Sequence, residues 1–273
     1  MLNDFILDKK SLQKLSSCGL SYETIKSQIN GENLDFLLEM WRSQGLEIIK
    51  NQALYYYETK FIPLQEAVFC IVDIETNGSK IDKHQIIEIG ALKIKNGEVI
   101  DSFESFVQCS EINQHITDIT GISVKDTLNA PSLKQVMQDF RIFLDDAVFV
   151  AHDVKFDFKF ISAMMQKVGL LPLLNRHLCS INLAERTIES YRYGLGYLND
   201  LLGLHVDATH HRALSDAITT AKLFERSLEL IDKNVVTVED LINFSKNERR
   251  LKRPKFDPLI NVDECSTQQT CQD

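Results

Sequence analysis

Four carboxylates and one histidine carry the chemistry legible in this chain. Asp73 and Glu75 stand two apart in Asp73-Ile74-Glu75-Thr76-Asn77-Gly78, at the end of an apolar, β-branched run. Side chains alternate across a strand, so these two positions project from one face. Adjacent anions repel unless a cation neutralises them, and hard oxygen ligands favour Mg²⁺ or Mn²⁺. Asp157 follows a second apolar run, in Ala151-His152-Asp153-Val154-Lys155-Phe156-Asp157. Asp153 is explained there as an acid at a helix N-terminus. Asp157, one turn further in between Phe156 and Phe158, needs a partner. His211 and Asp216 lie five apart, too wide for one helical face. That spacing suits a histidine on a loop and an acid on the first turns of the next helix. Each signal alone has an ordinary explanation: acids often precede turns, and a lone histidine is commonly structural or solvated.

The elements that must position these groups are readable from periodicity. Residues 68–74 form a strand by their apolar, β-branched content, and residues 86–95 a second. Asn96-Gly97 is suited to a type I′ turn because both residues tolerate positive φ, leading into a third strand over 98–108. An amphipathic helix opens at Pro131-Ser132 and runs to about 144, with Leu133, Val136 and Phe140 on one face. A short buried strand at 147–151 precedes a helix over 154–168. Residues 178–181 give a fifth strand, followed by helices to 188, over 195–202 and over 213–231. Antiparallel strands first and alternating elements afterwards predict an α/β fold, a mixed five-stranded sheet flanked by helices.

Three regions follow: a mostly helical N-terminal domain at 1–66, the α/β unit at 67–231, and a C-terminal helix with a basic, polar tail at 232–273. A chain with 44% hydrophobic and 25% charged residues is an ordinary globular one. No apolar run approaches the roughly 18–20 residues of a membrane span, and Met1-Leu2-Asn3-Asp4-Phe5 lacks a secretory layout; the expected location is cytoplasmic. Six cysteines are scattered without a CxxC pair, which excludes zinc-finger spacing and is read as reduced thiols. The net charge of −9 means that any nucleic-acid contact must use a local basic surface.

Taken together, Asp73-x-Glu75, His152-Asp153-x-x-Phe156-Asp157 and His211-x-x-x-x-Asp216 resemble the three motifs of the DEDDh (DnaQ-like) 3′→5′ exonucleases, and most closely the epsilon proofreading subunit of bacterial DNA polymerase III. The resemblance covers about residues 67–231 and includes Thr120-Gly121-Ile122 after Ile116. Two departures stand out. Asp153 occupies a position where the family often has Asn, and Asn77-Gly78 replaces a more usual Thr-Gly. Neither touches the four acids, so activity is expected to be retained. The resemblance implies an RNase H-like fold and catalysis with two Mg²⁺ or Mn²⁺ ions. Asp73, Glu75 and Asp216 would surround one ion, Asp73 bridging to the second, with Asp157 acting through water and His211 as general base. Thr76, His152 and Phe156 would contact the substrate. That substrate would be a single-stranded or frayed DNA 3′ end, the product a nucleoside 5′-monophosphate, and the partner a DNA polymerase III catalytic subunit.

Rival readings are an RNA 3′-trimming exonuclease using the same acids, a polymerase-associated binding module without catalysis, and a winged-helix transcription regulator. For residues 1–66, helical patterns at 22–29 and 34–45 precede two strand-like runs at 46–49 and 53–57, an order similar to a winged helix. Seven basic against nine acidic residues argue against strong phosphate binding, and a helical docking domain is preferred. Residues 246–255 hold six basic residues and one acid; they suit nucleic acid, an acidic partner, or a solvated helix end. The last dozen residues are polar and expected to be disordered.

Overall fold

A computed structural model describes residues 7–209 and 211–260; the polar last dozen residues fall outside these. The N-terminal region contains α1 (Lys9–Leu15), β1 (Leu20–Ser21), α2 (Tyr22–Lys26), α3 (Leu34–Arg42), β2 (Ile48–Asn51) and β3 (Leu54–Tyr57). Periodicity predicts α2, α3 and the two later strands. It misses α1, whose N-cap Asp8 accepts from the Ser11 N–H, and β1, whose two residues are too few to show alternation. β1 pairs with β3, so the expected two-stranded ribbon is a three-stranded antiparallel sheet of order β1-β3-β2.

The central sheet contains β4 (Val68–Thr76), β5 (Ile86–Lys95), β6 (Glu98–Phe106), β7 (Val148–Ala151) and β8 (His177–Cys179), in the order β6-β5-β4-β7-β8. β4 pairs antiparallel with β5 and parallel with β7, which makes the sheet mixed. The β5–β6 turn has Asn96 at φ 51° and Gly97 at φ 76°, the left-handed pair that a type I′ turn requires. The remaining helices are α4 (Gln114–Thr120), α5 (Val124–Thr127), α6 (Leu133–Leu144), α7 (Val154–Lys167), α8 (Ser180–Thr187), α9 (Leu195–Leu202), α10 (Ala213–Leu228) and α11 (Val238–Asn247).

Alternation along β4 divides the core in two. Cys70, Val72 and Ile74 pack with Phe140 of α6 and with Phe160, Ile161 and Met164 of α7. Phe69 and Ile71 face the other way, against Leu183 of α8, Phe224 of α10 and Leu241 and Ile242 of α11. Asp73 and Glu75 continue this second face past its apolar part. The N-terminal region is tied to the far end of the sheet. Arg176 pairs with Glu239 at 2.6 Å and lies 4.3 Å from the Tyr57 ring centroid, and the Thr59 hydroxyl donates to Glu239 at 2.7 Å. Among the described residues no helix is long and apolar enough to cross a membrane.

Candidate active site

The site forms where β4 ends. Asp73 and Glu75 leave one face of the strand, and a register irregularity between Glu75 and Thr76 ends regular pairing there. Their cross-strand partners on β5 are Gly90 and Glu88, and these explain how α10 comes so close. A Cβ on Gly90 would lie 2.2 Å from the Leu214 nitrogen, so only glycine admits the α10 backbone beside Asp73. Glu88, fully buried, accepts from the Arg212 guanidinium at 2.7 and 3.1 Å and from the Ala213 N–H at 2.9 Å. Arg212 also lies 5.4 Å from the Phe106 ring centroid. The start of α10 is therefore clamped onto β5 by a charge-assisted pair.

That clamp fixes the segment that carries His211 and Asp216. His211 is exposed, with φ 61°, and its N–H donates to Asp216 Oδ2 at 2.9 Å. Asp216 is buried in the first turn of α10. Ligand atoms of Glu75, His211 and Asp216 all lie within 4.8 Å of one another. Asp157 enters from the other layer, on the first turn of α7, where the Ile74 N–H donates to it.

Burial and mutual repulsion raise the carboxyls of Asp73, Glu75 and Asp157. Burial, then Asp157, Glu75 and Asp216, push the Asp73 carboxyl well above the ordinary carboxylate range. Burial raises Asp157 likewise, reinforced by Asp153 and Glu75 and opposed by its backbone hydrogen bonds. Glu75 is pushed up to about 8 by burial, then by Asp216 and Glu88, with Arg212 opposing. Arg212 is committed to Glu88 and only partly offsets the cluster. Carboxylates with one imidazole form the donor set of a hard divalent cation, and the residues present fit one.

The three residues expected to touch substrate are placed differently. Thr76 closes β4 beside Glu75, and Phe156 is 36% exposed on α7, 5.4 Å from the Phe160 ring. His152 is engaged at both ring nitrogens: Nε2 donates to the Tyr193 carbonyl at 2.9 Å, so Nδ1 accepts from the Ser180 hydroxyl at 2.8 Å. Burial takes its imidazole down to about 4. With both ring nitrogens engaged, His152 has no nitrogen left for a ligand. The two departures in the motifs also have local reasons. Asp153 sits at φ 77°, a conformation Asp and Asn both tolerate. The Asn77 side chain accepts from the Gln85 N–H and donates to the Glu111 carbonyl, both at 2.8 Å. Glu88 and Gly90 escape the motif reading, though an acid within Ile86-Ile87-Glu88-Ile89 was a visible signal.

Residues 70–224 match the profile of the RNase T exonuclease family. The chain belongs to this family of hydrolases, and its mixed sheet and flanking helices are the family's RNase H-like fold. Among its relatives are the PolC-type DNA polymerases III of Thermotoga petrophila, 34% identical over 182 residues, and of Staphylococcus haemolyticus, 33% identical over 195 residues. The matches cover 66% and 70% of this chain but only 13% and 14% of those polymerases. Solved structures of similar fold include exonuclease X in complex with 5′ overhanging duplex DNA, at TM-score 0.51 and 22% identity over 65% of this chain and 99% of that one. Another is E. coli exonuclease I in complex with a dA16 oligonucleotide, at TM-score 0.54 and 15% identity over 60% and 42% of the two chains.

Proposed function

We propose that this chain is a divalent-metal-dependent 3′→5′ exonuclease that removes nucleoside 5′-monophosphates from DNA 3′ ends, acting in the cytoplasm as a proofreader beside a DNA polymerase III catalytic subunit. The observation that carries the reading is the convergence of Glu75, His211 and Asp216 within 4.8 Å, with Asp73 and Asp157 close enough to perturb one another. The choice of DNA and of a polymerase partner is supported by the PolC-type relatives.

Asp73, Glu75, Asp157 and Asp216 would hold two Mg²⁺ or Mn²⁺ ions. Bound there, such ions supply positive charge to both the entering and the leaving oxygens of an in-line displacement at phosphorus. His211 takes the proton of the attacking water at a ring nitrogen, a role its exposed position on the loop before α10 permits. The Glu88–Arg212 pair positions that loop. Phe156 offers a ring face to the terminal base, Thr76 lines the rim beside Glu75, and His152 holds the adjoining turn.

The test is digestion of matched 5′-labelled DNA and RNA strands by the purified chain in Mg²⁺, Mn²⁺ or EDTA. Stepwise loss from the DNA 3′ end is expected, abolished by EDTA and reduced by roughly 10³-fold or more in Asp73→Ala and Asp216→Ala. Unchanged turnover in those variants would refute the assignment. Faster digestion of RNA would move the substrate to the RNA-trimming class, and co-purification without a replicative polymerase would remove the proofreading role.

A further inference from the structure

The chain as a whole is acidic, yet residues 246–255 place six basic side chains against one acid. This segment does not drift away from the protein. The Leu251 N–H donates to the Glu185 carbonyl at 2.8 Å, and the single buried Glu185 carboxylate is shared by Arg250 at 2.9 Å and Arg253 at 3.6 Å. Further on, the Arg253 guanidinium lies 5.2 Å from the Tyr193 ring centroid, and the Tyr197 hydroxyl donates to Asp257 at 2.5 Å. The tail is therefore laid from α8 past Tyr193 to α9.

Tyr193 is the residue whose carbonyl accepts from His152, and His152 lies two residues past Val150 on β7, as Asp73 lies two past its register partner Ile71 on the neighbouring β4. The pinned tail thus runs from α8 past the residue that holds His152. Its cations outnumber the anions they meet, since two arginines share one glutamate and Arg192 reaches Asp257 only at 3.8 Å while remaining 63% exposed. Lys252 and Lys255 are exposed with no ion pair among the described residues, and Phe256, 83% exposed, follows Lys255 and precedes the Asp257 that accepts from Tyr197. Cations beside an exposed ring, on a fixed backbone, are what a single-stranded nucleic acid needs. The cations track phosphates and the rings stack bases without regard to sequence.

We propose that residues 249–257, with Arg192, form a track for the part of the strand lying 5′ of the nucleotides in the site. The proposal rests on the nuclease reading above and adds to it a binding surface outside the carboxylate cluster. An acidic protein would satisfy the cations but would gain little from an exposed phenylalanine, so the single strand is the better occupant.

The experiment uses the full chain with fluorescently labelled oligothymidylates of about 12 and about 3 nucleotides, spanning and falling short of one binding site. Binding is read in EDTA and degradation in Mg²⁺. Lys252→Ala/Lys255→Ala is expected to weaken the long strand about tenfold and to flatten the log affinity against log salt by about 1.4, two phosphates' worth. Phe256→Ala is expected to weaken it about tenfold with no change in that slope. In both variants the kcat/KM ratio of long over short strand should fall. Wild-type degradation together with variants that bind and discriminate length as wild type would overturn the track while leaving the nuclease reading intact. A wild type that degrades nothing, with variants that still lose the long strand, would sink the catalytic reading and leave the track standing. Loss of binding to an oligoglutamate probe in the lysine variant, with Phe256→Ala neutral toward DNA, would assign the surface to an acidic partner and overturn the proposal.

Discussion

Replacing Glu75 by Gln should make the metal-free protein more stable while it weakens its response to metal. Burial, Asp216 and Glu88 move this carboxyl from 4.5 to about 8. A group raised in the folded state contributes fully below its unfolded value and loses that contribution as pH rises through the folded value. Glu75 therefore destabilises the metal-free fold progressively between about pH 4.5 and pH 8. The displacement corresponds to at most ~5 kcal/mol, and because Glu75 is only partly buried, screening reduces this to roughly 2 kcal/mol. For a domain of this size that is about 4–8 °C in Tm. Calorimetry in EDTA at pH 8 should show E75Q melting higher than wild type by this amount, with the gap nearly closed at pH 5. Adding Mg²⁺ or Mn²⁺ should raise wild type by several degrees, because ligand bound only to the folded state stabilises it, and E75Q by clearly less. An E75Q protein that melts no higher than wild type in EDTA at pH 8, or that gains as much from Mg²⁺, would refute the view that mutually repelling carboxylates sit at the end of β4.

Three further outcomes follow from the same geometry. Gly90→Ala drives a methyl into the backbone of Leu214 and should cost about 1–3 kcal/mol in urea unfolding, with kcat falling more than KM rises; wild-type kcat would show that α10 does not depend on this contact. Glu88→Gln removes the carboxylate that Arg212, itself 37% exposed, pairs with, for about 1.5–3 kcal/mol of stability, and should lower kcat through the His211 loop; a fully active, equally stable variant would remove the clamp from the account. Burial holds His177 down to about 4, so its neutral form contributes above about pH 6.5 and is lost as pH falls toward 4. His177→Gln should flatten the acid limb of stability by roughly 2 kcal/mol, read as urea midpoints from pH 7 to 4.5, and an unchanged limb would count against it.

Much of the scaffold was legible because its signals are local. The bounds of β5 match those expected, Asn96-Gly97 turns with both φ values positive, and α10 begins at Ala213, leaving His211 outside the helix as the spacing to Asp216 implied. The N-terminal region was harder. α1 is held by one cap, and β1 has meaning only as the partner of β3.

The amino-acid order by itself determined which acids could act and on which kind of element each would sit, since strand alternation, turn chemistry and helix starts act over a few residues. Only the tertiary structure decided that β5 brings Gly90 and Glu88 opposite Asp73 and Glu75, that Glu88 reaches across to Arg212, and that the tail returns to Tyr193. Those pairings are fixed by sheet register and by the burial of charge between segments far apart in the chain. No window of local periodicity contains either.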